Sequence, residues 1–118
     1  MRMRIVSSRG RPFAYAQDYG VHAWPQAHLT HLPSGARAID SFIGLPSMIG
    51  RGHGAVYLRL LAEQLCMQGA PLVAIDPDLD NVRARRAYAR AGFIGEAPVA
   101  TKAGLAVLMA YDPRRFFV

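Results

Sequence analysis

The chain has 118 residues, of which 52% are hydrophobic and 19% charged, and its formal net charge is +6. This composition predicts one globular domain over residues 1–118 and excludes an intrinsically disordered protein. The sequence lacks an apolar run long enough to cross a bilayer and the apolar core of a secretory signal, so we expect a cytoplasmic protein without a membrane partner.

The first part of the chain predicts three strands. Residues 4–8 and 12–19 form a candidate hairpin, because β-favouring aromatic residues follow a Ser8-Arg9-Gly10-Arg11 turn. Residues 20–36 carry glycines and prolines without a sustained period, which is typical of a loop. In residues 37–44, apolar and polar positions partly alternate, which predicts a third strand with a site on one face.

The second part predicts helix, strand, helix and two strands. An apolar stripe indicates a helix from about His53 to Gln68, and a short apolar run predicts a buried strand over Leu72–Ile75. A second helix spans roughly Asn81–Ala91, and two strands follow near 93–99 and 104–111. The order β-β-β-α-β-α-β-β indicates an α/β (α+β) fold.

A glycine-rich segment, Gly50-Arg51-Gly52-His53-Gly54-Ala55, opens the first helix. Glycines at this spacing expose backbone N–H groups, and the helix dipole adds attraction for a phosphate or pyrophosphate. Arg51 would pair with such a phosphate. The alternative is a tight turn with a solvated arginine.

Several segments resemble the GNAT N-acetyltransferase superfamily. Ile49–Gly54 is similar to the motif Q/R-x-x-G-x-G/A, with isoleucine at the leading position, and Asn81–Phe93 resembles N-x-x-A-x-x-x-Y-x-x-x-G-F. Pro12–Gln17, Ala38–Ser41 and Ile75–Pro77 resemble the aminoglycoside 6'-N-acetyltransferase subgroup. The resemblance implies a mixed, mostly antiparallel sheet with two main helices that binds acetyl-CoA.

The resemblance covers nearly the whole chain from about residue 4. In the family, however, a strand and two helices precede the hairpin and form one wall of the acceptor pocket. We expect this chain to lack those elements. Either it is a natural short form, or a partner chain in a homodimer supplies the missing wall.

The implied reaction is direct attack of a small primary amine, such as an aminoglycoside, on acetyl-CoA in a ternary complex, without a metal. A backbone N–H near 48–50 would polarise the thioester carbonyl. The residues expected to bind the cofactor are Met48, Ile49, Gly50, Arg51, Gly52, His53, Gly54, Ala55 and Asn81. The alternative for Asn81 is a helix cap alone.

Three further side chains are candidates for chemistry. Asp40 interrupts a mostly apolar strand, where a carboxylate is costly unless it faces a cleft or a partner. The resemblance implies that Asp40 binds the acceptor ammonium and, as the general base, accepts its proton. The alternative is a pair with a nearby arginine. The resemblance also implies that Tyr88 protonates the leaving thiolate. The alternative is that Tyr88 is a core tyrosine without a catalytic role. Asp76, at a strand end, either helps to bind the acceptor amine or forms an ordinary Asp-Pro turn.

Other features are less specific. His22, His28 and His31 in the long loop lack a metal-ligand spacing, and we expect surface histidines. Cys66 lies in a helical pattern and is expected to be a buried structural thiol.

All but one of the 14 basic residues are arginine. Either the basic surface attracts a polyanion, or the coding composition of the source favours arginine and the charge carries little meaning. Arg83, Arg86 and Arg90 share a helix face that is solvated, contacts the adenosine 3'-phosphate, or binds RNA. Two rival functions remain: a non-catalytic acyl-CoA-binding module and a small basic RNA-binding protein.

Overall fold

The computed structural model describes residues 2–8, 11–23, 26–43 and 53–113. These residues form the strands β1 (Arg2–Ser8), β2 (Arg11–Gly20), β3 (Arg37–Ile43), β4 (Val73–Ile75), β5 (Phe93–Ile94), β6 (Pro98–Thr101), β7 (Gly104–Val107) and β8 (Met109–Tyr111). The helices are α1 (His53–Met67) and α2 (Val82–Ala91), and a short 3-10 turn covers Ala27–Leu29. None of the helices in these ranges is long and apolar enough to cross a membrane.

Six strands form one sheet in the order β1-β2-β3-β4-β8-β5, and β6 and β7 form a separate hairpin. Within the large sheet, β3 and β4 run parallel and the other neighbours are antiparallel. The expected mixed, mostly antiparallel sheet with two main helices is confirmed.

The parallel pair at the centre of the sheet is short. It runs from Arg37 opposite Val73 to Ile39 opposite Ile75. β4 then ends, whereas β3 continues to Ile43 alongside β2. We call the resulting gap the split.

Apolar side chains pack on both faces of the sheet. On the helix side the buried cluster comprises Ile39, Leu58, Leu61, Ala62, Leu65, Val73, Ile75, Tyr88, Ala91, Phe93, Val107, Met109 and Tyr111. On the opposite face, which we call the loop side, it comprises Tyr19, Val21, Leu29, Leu32, Ala36, Ala38 and Ala74. Because successive strand residues point to opposite faces, residues two positions apart share a face. Asp40 and Asp76 therefore lie on the loop side, beyond Ala38 and Ala74, at the edge of the split.

The second helix is closed at both ends by its own residues. The Asn81 side-chain oxygen accepts a hydrogen bond of 3.1 Å from the backbone N–H of Ala84, which is N-cap geometry. Gly92 follows the helix with φ of 103°, a left-handed conformation that glycine adopts without strain. The sequence-based bounds of this helix are thus explained by local chemistry.

The last two predicted strands, 93–99 and 104–111, are each divided in two, which corrects that expectation. The division lies at Gly95, which has φ of 146° and lies against the backbone of Leu108. A Cβ built on Gly95 would lie 2.3 Å from the Leu108 carbonyl oxygen, so only glycine permits this approach.

Beyond this contact the β6–β7 hairpin leaves the large sheet and bonds to the segment that follows β4. The N–H of Val107 donates to the carbonyl of Pro77 at 2.8 Å, and the N–H of Leu79 donates to the carbonyl of Leu105 at 3.0 Å. The hairpin is thereby fixed beside the end of β4 and next to the split.

Candidate active site

A cavity of about 800 Å³, which we call the cleft, lies between the 3-10 turn, the end of β4 and the β6–β7 hairpin. Its lining residues are Gln26, Ala27, His28, Asp76, Asp78, Ala100, Thr101, Lys102, Ala103 and Ala106. The lining combines carboxylates with hydrogen-bond donors, as expected of a site for a polar ligand.

Asp40 is half-buried and bound to the neighbouring strand. The side-chain amide of Gln17, its register partner on β2, donates to Asp40 Oδ2 at 3.1 Å. The nearby arginine, Arg37, instead binds Asp18, to which its Nε and Nη2 donate at 3.0 and 2.5 Å. Asp18 is 1% exposed, so the arginine neutralises a buried carboxylate on the helix side. Arg37 thus forms its ion pair with Asp18 and not with Asp40.

Asp76 forms a close pair with His28. His28 Nε2 lies 2.7 Å from Asp76 Oδ2, and the side chains are 6% and 18% exposed. Burial raises the pKa of Asp76, while the hydrogen bond and charge of His28 lower it and the Asp40 carboxylate raises it further. Asp40 and Asp76 directly follow Ile39 and Ile75, the last pair of the parallel ladder, so the two carboxylates lie on neighbouring segments at the split.

Tyr19, on the loop side, interacts electrostatically with both carboxylates. Burial, followed by the charges of Asp40 and Asp76, raises the pKa of Tyr19 to about 12. The Gln26 side-chain amide donates to the Tyr19 hydroxyl at 2.8 Å. The members of this group, which we call the carboxylate cluster, are Gln17, Tyr19, Gln26, His28, Asp40 and Asp76.

His28 is a site residue that the sequence did not indicate, as are Tyr19 and Gln26. The expectation of a surface histidine is wrong for His28, whereas His22 and His31 are exposed. Its partner Asp76 lies 48 residues away in sequence, so no local pattern indicates the pair. The sequence does place an apolar residue, Leu29, next to His28. Leu29 is buried in the structure and anchors this part of the loop.

Tyr88 lies on the helix side of the sheet, opposite the carboxylate cluster. It is 9% exposed and packs edge-on against Phe93, with ring centroids 6.4 Å apart. Tyr88 therefore belongs to the helix-side core, and its role as a proton donor stays a prediction. A ligand that contacts both Tyr88 and Asp40 has to pass through the split.

The predicted cofactor residues are only partly described. Met48–Gly52 lie outside the described residues, and His53–Ala55 form the first turn of α1. The cap formed by Asn81 uses its carbonyl oxygen and leaves the cofactor-binding role as a prediction.

The arginine face of α2 and the cysteine lie away from the carboxylate cluster in sequence and have the following surroundings. Arg83, Arg86 and Arg90 are exposed. Cys66 is half-buried against the helix-side cluster, and burial raises the pKa of its thiol, as suits a structural cysteine. Within the described ranges, no group of three or more His, Cys, Asp or Glu residues is arranged to hold a metal ion.

Comparison with known proteins identifies relatives over almost the whole chain. A family model described as an acetyltransferase (GNAT) domain matches residues 1–101. Aminoglycoside N(6')-acetyltransferase type 1 of Klebsiella pneumoniae is 32% identical over 118 residues, which is 95% of this chain and 57% of that protein. A kanamycin resistance protein of Rhizobium radiobacter is 35% identical over 83 residues, covering 70% of this chain and 77% of that protein.

Solved structures give the same picture. AAC(6')-Ib in complex with ribostamycin and coenzyme A superimposes with a TM-score of 0.85 at 31% identity, covering 98% of this chain and 65% of that one. AAC(6')-Ib with coenzyme A and kanamycin also gives 0.85 at 31% identity, covering 98% of this chain and 68% of that one. The chain thus spans little more than half the length of the first curated relatives that it matches.

Proposed function

The chain belongs to the GNAT acetyltransferase family, and on that premise we propose that it transfers the acetyl group of acetyl-CoA to a primary amine of a small molecule. The observation that carries the proposal is the meeting of Asp40 and Asp76 at the split. An amine acceptor is a cation until it reacts, and two neighbouring carboxylates beside a cleft suit such a ligand.

On the acceptor side, Asp76 lines the cleft and Asp40 lies next to it across the split. We assign Asp76 to binding of the acceptor ammonium and Asp40 to removal of its proton, directly or through one water. The Gln17 amide holds Asp40 by one oxygen, which fixes the orientation of this base. An aminoglycoside is the first acceptor class to test, since the named relatives act on or confer resistance to aminoglycosides. A lysine-type amine is the second.

On the donor side, we assign the pyrophosphate of acetyl-CoA to the segment Met48–Ala55 and the pantetheine arm to Asn81. The first turn of α1 contains the end of that segment, and a helix N-terminus attracts phosphate through its free N–H groups. The acyl end would lie in the split, between the helix-side Tyr88 and the loop-side Asp40.

The reaction needs no covalent enzyme intermediate. The deprotonated amine attacks the thioester carbonyl carbon, a C–N bond forms, and the C–S bond breaks. The amine proton passes to Asp40, and Tyr88 supplies a proton to the thiolate of coenzyme A. A backbone N–H near 48–50 would stabilise the oxyanion. We also propose that two copies of the chain form a homodimer, which activity rising more steeply than protein concentration would support.

The deciding experiment is a thiol-release assay with acetyl-CoA and a panel containing kanamycin, ribostamycin and lysine-type amines. We expect amine-dependent release that falls by at least about 100-fold in Asp40→Asn, as is typical for loss of a general base. Asp80→Asn, an exposed carboxylate in the turn before α2, is the matched control and should retain activity.

Two outcomes would contradict the proposal. Acetyl-CoA binding, seen as a thermal shift without thiol release on any amine, would favour the acyl-CoA-binding module. Salt-sensitive RNA binding without a thermal shift on coenzyme A would favour the RNA-binding protein.

A further inference from the structure

His28 is presented to the cleft by an anchored turn. Leu29, its neighbour, is 1% exposed in the loop-side cluster. Backbone N–H groups of Leu29 and Leu32 donate to the carbonyls of Gln26 and Leu29 at 2.9 and 3.1 Å. The His22 ring nitrogen Nε2 lies 2.7 Å from the Leu32 carbonyl oxygen and ties the end of the turn. The position of His28 is therefore set by packing and hydrogen bonds of the turn itself.

The partner of His28 is the carboxylate that faces the cleft. A buried carboxylate is costly unless hydrogen bonds and charges compensate it. The contact of 2.7 Å between His28 Nε2 and Asp76 Oδ2 supplies such compensation. It also holds one carboxylate oxygen, so that the plane of the carboxylate is restricted.

We propose that His28 is the positioning residue for Asp76: its Nε2–H holds the carboxylate in the orientation and ionised form in which Asp76 binds the acceptor ammonium. This inference rests on the proposed amine-acetylating function. His28 does not contact the reacting atoms in this scheme, and it acts through Asp76.

The charged and titratable groups around His28 and Asp76 determine how loss of His28 would change the ionisation of Asp76. Asp40 on β3 opposes ionisation of Asp76, and Tyr19 on β2 lies on the same face. Lys102 and Asp78 line the cleft from the hairpin and from the segment after β4. With a second carboxylate opposing ionisation of Asp76, loss of His28 should leave Asp76 protonated to a higher pH.

Five variants separate these effects, one of which is Asp76→Asn alone. His28→Leu removes the hydrogen-bond donor at similar volume, whereas the side-chain nitrogen of His28→Gln can replace Nε2. His31→Leu, three residues away and exposed, is the matched control. The double variant of His28→Leu with Asp76→Asn tests whether His28 acts through Asp76.

The first measurement is carbon-13 NMR titration of the Asp76 carboxyl in the free protein, which requires no turnover. We expect a higher midpoint in His28→Leu and a near wild-type midpoint in His31→Leu. His28→Gln should lie between them, because it restores the hydrogen bond to Asp76 but not the charge of His28. An unchanged midpoint in a folded His28→Leu protein would overturn the inference. A midpoint in His28→Gln that matches His28→Leu would also overturn it, because the donor would then not be the cause.

The second measurement is calorimetry in two separate titrations, one with kanamycin as the probe amine and one with acetyl-CoA. In His28→Leu we expect about a tenfold weaker Kd for kanamycin, the usual effect of one lost charge-assisted bond, and less than a twofold change for acetyl-CoA. In the Asp76→Asn background, His28→Leu should have less than a twofold effect on kanamycin. Equal kanamycin affinity in wild type and His28→Leu overturns the inference.

The outcomes separate the two proposals. Kanamycin binding without thiol release contradicts the acetylating function but leaves the positioning role intact. Absence of kanamycin binding to wild type overturns the positioning role for this acceptor, whatever other amines release thiol.

Discussion

Gly95→Ala should destabilise the domain by about 3 kcal/mol, because two costs coincide at this position. An alanine at φ of 146° is strained by about 1–2 kcal/mol. Its Cβ would also lie 2.3 Å from the Leu108 carbonyl oxygen, so one backbone segment has to move by about 1 Å, and overpacking of this kind costs about 1–3 kcal/mol. For a domain of this size, the sum corresponds to a fall in Tm of about 12 °C.

Gly104→Ala is the matched control. Gly104 has φ of 127°, in the same hairpin region, but a Cβ there would meet nothing within 4 Å. Backbone strain alone should lower stability by about 1 kcal/mol, or about 4 °C in Tm. Chemical denaturation and thermal melting of both variants measure the difference. If Gly95→Ala melts within about 2 °C of Gly104→Ala, the close approach to Leu108 is not present in solution and the account of the divided strands fails.

Three other predictions concern the site and its support. Tyr88→Phe should lower kcat by about 100-fold at an unchanged acceptor KM if its hydroxyl protonates the thiolate, while Tyr111→Phe, in the same core cluster, should stay within twofold in thiol release. Arg37→Met leaves Asp18 buried without its arginine and should cost about 3 kcal/mol in urea unfolding, part of which Asp18→Asn restores; a cost below about 0.5 kcal/mol would refute the pair's role. Burial raises the pKa of Asp76, so the folded state binds the Asp76 proton more tightly than the unfolded state does. The stability that this proton contributes is therefore lost as the pH rises from about 4 through the raised pKa. Asp76→Asn should therefore gain stability relative to wild type over that range, as urea unfolding at several pH values would show, and a constant difference would contradict the raised pKa.

The features that were predictable from the sequence are those that local pattern determines. The apolar stripe of α1 and the cap and glycine stop of α2 lie where periodicity and capping chemistry indicate. The splitting of the last strands was not predictable, because it depends on the contact between Gly95 and Leu108, which are far apart in sequence. The pairing of His28 with Asp76 was missed for the same reason, since only the folded chain brings the loop to the end of β4.

The short ladder at the centre of the sheet has a mechanical consequence. Three residue pairs, from Arg37–Val73 to Ile39–Ile75, join the half formed by β1, β2 and β3 to the half formed by β4, β8 and β5. Side-chain packing adds to this cohesion, since Ile39 joins the helix-side cluster and Ala74 the loop-side cluster, and so does the bond between His28 and Asp76. Amide hydrogens of this ladder should exchange through local separation of the halves at a free energy below that of global unfolding. A cosubstrate seated between the halves would add its binding free energy to their cohesion and act, while bound, as a brace across the sheet.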